Sequence, residues 1–189
     1  MKNFTYHSAK DSKEATKLSS SNSAFLAGGM TTIPSMKLGL ASYKDIIDIK
    51  GIKKLSGIKV SGKSVIIGAT TKHTEVANSK EIKKAIPSLA DLAEGIGDPA
   101  VRNRGTIGGS IANNDPAADY PSACIALNAT IHTNSRKIEA SKFFSGMFET
   151  ALKKGELIEA VEFQIPNKSS YQKYPNPASR YAVVGVYVA

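Results

Sequence analysis

The sequence predicts an α+β fold, with a small α/β N-terminal unit over residues 1–50 and a larger strand-rich second unit over residues 51–189. In the first unit, short apolar strand candidates alternate with helical segments, which is the order of a βαβ element. From Gly57 onward the pattern changes to hairpins and strands around a block of helices, a mixture typical of α+β domains. A chain of 189 residues is long enough for two such units.

The elements of the first unit follow from local pattern and from helix start signals. Strands are predicted at residues 4–6, 23–27 and 46–49, and the second of them runs into a pair of glycines. A helix is predicted over residues 12–18, because its acid lies early and its lysine lies late. A second helix is predicted from Pro34 to Leu40, since proline is well placed in a first helical turn.

The second unit begins with a hairpin and continues with helices before it returns to strands. Gly62 lies in a four-residue turn between two strand-like triplets, residues 58–60 and 65–67, which predicts the hairpin. Helices are predicted at residues 74–78, 80–86, 87–94 and 121–127, with Gly95 and Gly97 ending the third. Further strands are predicted at residues 129–133, 137–140, 157–165 and 180–188.

Composition argues against several classes of protein. No apolar run is long enough to cross a bilayer, and the first residues lack the apolar centre of a secretory signal, so a cytoplasmic protein is expected. The formal net charge is +9, but many lysines lie beside acids, and aromatic residues do not alternate with a basic patch. Neither membrane insertion nor nucleic-acid binding is therefore predicted.

The reactive side chains predict neither a catalytic residue nor a metal site. Cys124 is the only cysteine, which excludes an intrachain disulfide and a cysteine-ligated zinc or iron–sulfur site, and its apolar context predicts a core residue. His7, His73 and His132 are far apart in sequence, and no Ser-His-Asp or Cys-His arrangement is recognisable. An Asp115–Asp119 pair without further ligands makes a poor metal site.

The most informative feature is a pair of glycine-rich segments. Residues 105–121 combine Gly108 and Gly109 with a cluster of Asn and Asp side chains and two prolines, which no packing requirement explains. A second glycine pair, Gly28 and Gly29, lies where an apolar strand runs into a polar turn before a helix. Because glycine lets the backbone approach a ligand closely, the two segments predict two backbone cradles for one long anionic ligand, such as a nucleotide cofactor.

Neither segment is a standard phosphate loop. The Rossmann pattern Gly-x-Gly-x-x-Gly and the Walker pattern Gly-x-x-x-x-Gly-Lys-Ser/Thr are both absent. Taken alone, Gly28-Gly29 also fits an ordinary turn between a strand and a helix. Two unlike cradles fit a ligand spread between two domains better than a single loop does.

The charged residues near the second segment have more than one interpretation. Asp115 and Asp119 repel phosphates, so they are expected to accept hydrogen bonds from ribose or ribityl hydroxyls. The alternative for Asp119 is N-capping of the helix that begins near Pro121. Arg102 and Arg104 fit phosphate neutralisation, contact with a partner subunit, or simple surface solvation.

The chain resembles the FAD-binding medium subunit of the molybdenum hydroxylase family, of the carbon monoxide dehydrogenase and xanthine dehydrogenase type. The family's Ala-Gly-Gly-x-Ser/Thr turn is matched by residues 27–31. Its second signature, Thr-Ile-Gly-Gly-Ser/Asn followed by Ala-x-x-Asp-Pro-x-x-Asp, is matched by residues 106–110 and 112–119. Further matches lie at residues 36–38, 102–105, 143–144, 149–150 and 178–185.

The resemblance implies a two-subdomain FAD-binding fold of the vanillyl-alcohol-oxidase (PCMH) type, with the cofactor between the subdomains and no catalytic side chain. On the first turn, the implied FAD contacts are Ala27, Gly28, Gly29, Met30 and Thr31. On the second segment they are Thr106, Ile107, Gly108, Gly109, Ser110, Asn113 and Asp119, the last for the hydroxyl-bearing part of the cofactor. The family's further C-terminal domain beyond Val188 is expected to be absent here.

The resemblance also implies partners. An iron–sulfur small subunit would supply electrons, a molybdopterin large subunit would oxidise the substrate, and FAD would pass the electrons to an external acceptor. The basic excess, with Arg102 and Arg104, would steer the cluster-bearing subunit. The alternative is a nucleotide-binding assembly or scaffold protein without redox turnover.

Overall fold

The computed structural model describes residues 1–189 and places a small parallel sheet at the start of the chain. Its strands are β1 (Thr5–Ser8), β2 (Ser23–Leu26) and β3 (Asp45–Asp48), and its helices are α1 (Ser12–Leu18) and α2 (Thr32–Lys37). The strands pair in parallel in the order β1-β3-β2, with a helix between each consecutive pair. This arrangement confirms the predicted βαβ element.

Local signals explain where these two helices begin and end. The Asp11 side chain accepts a hydrogen bond from the Glu14 amide at 2.8 Å, which caps the start of α1. The second helix ends at Lys37, three residues before the predicted end at Leu40. Gly39 has a φ angle of +77°, a left-handed conformation that stops the helix.

The larger part of the chain forms a five-stranded antiparallel sheet with helices packed against it. The strands of this larger part are β4 (Ile58–Ser61), β5 (Ser64–Gly68), β6 (Thr130–Thr133), β7 (Lys137–Glu139), β8 (Phe144–Gly146), β9 (Glu149–Thr150), β10 (Ile158–Gln164), β11 (Ser170–Pro175) and β12 (Ala182–Val188). The sheet order is β4-β5-β10-β6-β7, while β8–β9 and β11–β12 form separate hairpins. The mixed helix and strand content confirms the predicted α+β class.

The helices of this part are short. They are α3 (His73–Asn78), α4 (Lys80–Ala85), α5 (Pro87–Glu94), α6 (Pro99–Arg102), α7 (Ile107–Asn113), α8 (Tyr120–Ala126) and α9 (Ala140–Phe143), and a 3₁₀ turn spans Lys53–Leu55. Leu89, Ile107 and Cys124 all lie in the core that these helices form against the sheet. Burial raises the pKa of the Cys124 thiol, which agrees with its predicted core role.

Several elements were not predicted from the sequence: α6, α7, α9, β8, β9 and β11. Residues 107–113 form helix α7 although two glycines lie in its first turn, because Thr106 caps it and the amides of Ile107 and Gly108 bind the carbonyls of Thr71 and Ala69. Strand β11 is rich in polar residues, and its partner β12 supplies the pairing that makes it a strand. None of the helices has the length and apolar character that crossing a bilayer requires.

Candidate functional site

A cavity of about 500 Å³ lies between the small parallel sheet and the larger part of the chain. Its volume is typical of the ~300–1,000 Å³ of small-molecule sites. Three segments supply most of its wall: the turn at residues 27–32, the segment at residues 105–119 and the hairpin turn at residues 179–181. The two glycine-rich segments that the sequence singled out therefore face the same cavity.

The first turn has backbone N–H groups that form no hydrogen bond with the rest of the backbone. The N–H groups of the four consecutive residues 28–31 donate to no backbone carbonyl, and Thr31 at the start of α2 makes no side-chain capping bond. Gly29 adopts a φ angle of +75°, a conformation that glycine reaches without strain. Unused N–H groups beside a cavity are suited to bind an anionic group.

Gly28 serves a different purpose from its neighbour. A Cβ atom at Gly28 would lie 2.1 Å from the carbonyl oxygen of Arg104 and 2.9 Å from the Cα atom of Gly105. The turn at residues 27–31 therefore packs directly, backbone to backbone, on the lead-in to α7. Glycine at position 28 is required by this contact between the two segments.

The two glycines of the second segment also differ from each other. A Cβ at Gly108 would meet the Cβ of Ala69 at 2.6 Å and its carbonyl oxygen at 2.7 Å, so Gly108 permits close packing within the fold. At Gly109, which is exposed and lines the cavity, a Cβ would meet only the Thr106 hydroxyl, at 3.0 Å. Only Gly109 leaves open space for a ligand.

The amides around the second glycine pair are already in use. Ile107 and Gly108 donate to backbone carbonyls at 3.1 and 2.9 Å, and the Gly109 amide donates to the Thr106 hydroxyl at 3.2 Å. The amides of the second glycine pair are therefore occupied, whereas those of the first pair, Gly28 and Gly29, donate to no backbone carbonyl. The second contributes shape, together with Ser110 and Asn113, which line the cavity from one face of α7.

Almost all predicted contact residues line the cavity. They are Ala27, Gly28, Gly29, Met30, Thr31, Thr106, Gly108, Gly109, Ser110, Asn113 and Asp119. Ile107 is the exception, because its side chain is fully buried in the core.

Asp119 is buried and held by two residues of β11. Its carboxylate accepts a hydrogen bond from the Tyr171 hydroxyl and lies 2.9 Å from Lys173 Nζ. Lys173 also donates to the Gly95 carbonyl at 3.0 Å. Burial and the Asp119 carboxylate raise the pKa of Tyr171 well above its usual range, so this hydroxyl stays protonated as a donor.

The alternative that Asp119 caps α8 is wrong. Asp119 occupies the position before the helix, but its backbone is helical and its side chain makes no capping bond. Asp115 instead bonds locally, accepting from the Ala117 amide at 2.9 Å. Both carboxylates remain at the cavity wall.

The third segment was not identified as a site from the sequence. Ser179, Arg180 and Tyr181 line the cavity from the turn between β11 and β12. Arg180 has a φ angle of +60°, which is uncommon outside glycine, and the Tyr181 ring is about half exposed. Burial, followed by Asp115 and Asp119, raises the pKa of Tyr181. Only the resemblance over residues 178–185 marked this stretch.

Glu156 is a buried carboxylate at the wall that sequence reasoning also missed. It accepts hydrogen bonds from Arg136 Nε at 2.9 Å, from the Thr133 and Ser135 hydroxyls, and from the Lys153 amide. The Arg136 hydrogen bond is the largest of the effects that lower its pKa to about 2. No local sequence pattern signals this group, since its side-chain partners come from a distant hairpin.

The remaining candidates do not form a reactive centre. Arg102 donates to the carbonyls of Ile96 and Gly97 at 3.0 Å each, which gives it a structural role. Arg104 is exposed, and its carbonyl oxygen packs against Gly28 of the first turn. No three His, Cys, Asp or Glu side chains lie together as a metal site would need.

Comparison with known proteins identifies the family. A family model described as the FAD binding domain in molybdopterin dehydrogenase matches residues 2–168. The chain belongs to this family. FAD is therefore its cofactor, as the sequence resemblance predicted.

Curated relatives match the FAD-binding chain over nearly its full length. It is 38% identical to the glyceraldehyde dehydrogenase medium chain of Sulfolobus acidocaldarius, covering 98% of this chain and 69% of the relative. It is 36% identical to the carbon monoxide dehydrogenase medium chain of Hydrogenophaga pseudoflava, covering 96% and 67%. The FAD-binding chain thus spans about two thirds of these relatives' length.

A solved structure shows the same fold. The structure of carbon monoxide dehydrogenase from Hydrogenophaga pseudoflava, in a form that lacks the Mo-pyranopterin moiety, superposes with a TM-score of 0.93 at 35% identity. The match covers 97% of the FAD-binding chain and 68% of the solved one. The free amides of residues 28–31 and the open face of Gly109 fit a cofactor that carries phosphates, so the residues present are consistent with FAD.

Proposed function

We propose that this chain is the FAD-carrying subunit of a molybdenum-containing hydroxylase or dehydrogenase, with FAD bound in the cavity. The observation that carries the proposal is the row of unused N–H groups at residues 28–31, which line a cavity that segment 105–119 also lines. Unused backbone donors beside a cavity suit the diphosphate that joins the two halves of FAD.

Each part of the wall has its own task in this proposal. The amides of residues 28–31 hold the diphosphate, and Gly109 gives the cofactor room to lie against α7. Ser110 and Asn113 offer polar contacts from the same helix. Asp119 accepts hydrogen bonds from cofactor hydroxyls while Lys173 balances its charge.

The proposed architecture is the two-subdomain FAD-binding fold of the vanillyl-alcohol-oxidase (PCMH) type, divided near residues 50 and 51. Its support is that the parallel sheet of β1–β3 and the five-stranded sheet pack into different core clusters. The cavity lies where these two parts meet, which is a common position for cofactor sites.

FAD supplies the redox chemistry, and the side chains bind it, orient it and limit the access of water. No residue of this chain is required as a general acid or base. Since Cys124 is the only cysteine and is buried, the electrons would come from clusters on a separate small subunit. A molybdopterin large subunit would oxidise the substrate, and an external acceptor would take the electrons from the flavin. We place this assembly in the cytoplasm.

The first test is the identity of the cofactor and its reduction. Mass spectrometry of the cofactor released by heat from purified protein should find FAD, and finding FMN alone would contradict the proposed site. The bound flavin spectrum should bleach with dithionite. A nucleotide-binding scaffold would instead show no reducible chromophore.

A second test separates the subunit from a complete enzyme. The chain alone should show no substrate-dependent flavin reduction, whereas it should co-purify with two further subunits when its native gene cluster is expressed. Substrate-driven reduction by the lone chain would refute the proposed dependence on partners.

A further inference from the structure

His73 lies in the wall of the cavity but has no role in the site described so far. It is the first residue of α3, lines the cavity and is only 5% exposed. Its backbone amide donates to the Gly105 carbonyl at 3.0 Å, which fixes it to the segment that contacts the first turn. The position of the ring is therefore determined by the same backbone contacts that shape the site.

The imidazole and a neighbouring phenol both lack partners. His73 Nδ1 and the Tyr120 hydroxyl are buried side-chain atoms without a hydrogen bond, and they are the two such groups in residues 1–189. The two rings are neighbours, with their centres 5.4 Å apart. Buried polar groups without hydrogen-bond partners are unfavourable and uncommon. Two such groups side by side at the cavity therefore indicate a functional role.

The opposite edge of the imidazole borders the glycine-rich segment. A Cβ atom at Gly105 would lie 2.5 Å from His73 Nε2 and 2.8 Å from Cδ2. Any other residue at position 105 would displace the ring, and both residues line the cavity. Nε2 is thus the ring nitrogen that lies beside the proposed cofactor site.

The ring is uncharged at neutral pH. Burial is the main cause, and the nearby Arg102 guanidinium the second, of a lowered pKa of about 4 for His73. A neutral imidazole carries its proton on one nitrogen only, and the partner of the other nitrogen decides which. His73 is therefore suited to be a fixed neutral donor or acceptor rather than a cation.

We propose that His73 is a hydrogen-bonding residue of the FAD site, whose tautomer the Tyr120 hydroxyl sets. The hydroxyl donates to Nδ1 through one buried water molecule, so that Nε2 carries the proton and donates to an oxygen of the cofactor. This assignment rests on the proposed binding of FAD in the cavity. It gives both unpartnered groups a use.

The decisive experiment measures the affinity of the apo-protein for FAD together with the tautomer of His73. In ¹⁵N-histidine-labelled protein, long-range ¹H–¹⁵N spectra should show His73 as the Nε2–H tautomer, and added FAD should shift its Nε2 resonance. His73→Leu should weaken FAD binding at least tenfold, and His73→Gln, which keeps a donor, should weaken it less. Tyr120→Phe should weaken it and change the tautomer populations.

Tyr187→Phe is the matched control, because it also removes a hydroxyl from a buried tyrosine. The Tyr187 hydroxyl bonds to Ser88 away from the cavity, so this variant should lose thermal stability and keep wild-type affinity for FAD. Wild-type affinity in both His73→Leu and Tyr120→Phe would overturn the inference, although FAD binding itself would stand. If wild-type protein failed to bind FAD, the proposed function would fail first. Should His73→Leu not fold, an unshifted His73 Nε2 resonance in FAD-saturated wild-type protein would equally overturn the inference.

Discussion

Lys173 Nζ lies 2.9 Å from Asp119 Oδ1, and the two side chains are only 8% and 5% exposed. Tyr171, two residues before Lys173 on the same strand, donates to the same carboxylate. Asp119 thereby joins β11 to the start of α8. The turn after β11 carries Arg180 and Tyr181 to the wall of the cavity, so this buried ion pair positions part of the site.

The first prediction concerns this pair. Asp119→Ala should lower the free energy of unfolding of the apo-protein by about 3–5 kcal/mol, because it leaves the Lys173 charge buried without a partner. It should also weaken FAD binding. Urea unfolding and FAD titration of the same preparation measure the two effects.

The double variant Asp119→Ala/Lys173→Met separates packing from charge. Since it removes both buried charges, it should recover at least about 1 kcal/mol of the lost stability. If the double variant were no more stable than Asp119→Ala, the ion pair would not be the cause. Recovery of stability without recovery of FAD affinity would assign Asp119 a direct contact with the cofactor.

The second prediction distinguishes the adjacent glycines of α7. Gly109→Val should place a branched side chain in the cavity and abolish flavin retention, with a loss of stability of no more than about 1 kcal/mol from the weakened Thr106 cap. Gly108→Val should instead destabilise the fold, because its side chain would overlap Ala69. Flavin content per protein and melting temperature decide between them. A Gly109→Val protein that keeps wild-type flavin content would show that the cofactor does not lie there.

Much of the fold could be predicted because its signals are local. Alternation of strands and helices in residues 1–50, the Gly62 turn and the early acid and late lysine of α1 need no tertiary information. Helix α7 could not be predicted in this way. Gly108 and Gly109 disfavour a helix, and what stabilises it is a pair of long-range bonds to Ala69 and Thr71.

The candidate site was predictable in its composition but not in its contacts. Glycine and Asx clustering identified both segments, since such residues are selected where the backbone meets a ligand. Gly28 and Gly108 permit close packing, whereas Gly109 leaves open space. This difference depends on which atoms lie opposite each glycine in the fold. The partners of Asp119 are more than fifty residues away in sequence, on a strand whose pattern gave no signal.

The third prediction tests the contact between the two glycine-rich segments. Gly28→Ala should destabilise the protein and release FAD, because its Cβ would lie 2.1 Å from the Arg104 carbonyl oxygen and push the turn away. Gly51→Ala is the control, since nothing lies within 4 Å of its Cβ position. Thermal melting and flavin content should change only in the first variant. Equal behaviour of the two variants would exclude a close contact at Gly28.

The fourth prediction is a pH dependence that arises from Glu156. The Arg136 hydrogen bond, followed by the other hydrogen bonds to the carboxylate, lowers the pKa of Glu156 to about 2. The stability that the ionised carboxylate contributes is therefore complete above the ordinary pKa near 4.5, and it is lost as the pH falls toward 2. As the pH falls over this range, protonation of Glu156 should lower the free energy of unfolding by on the order of 2–3 kcal/mol. Glu156→Gln should be less stable at neutral pH and show a shallower acid limb. Glu139→Gln, at a mostly exposed carboxylate, should keep the wild-type slope, and an unchanged slope in Glu156→Gln would contradict the assignment.

We propose that the unused amides of residues 28–31 bind the diphosphate of FAD, and the whole site depends on this contact. A crystal structure of the protein with FAD would show whether it forms. We expect diphosphate oxygens within about 3.2 Å of at least two of these four nitrogen atoms, a normal hydrogen-bond distance. A diphosphate bound elsewhere, with these N–H groups facing only solvent, would contradict it.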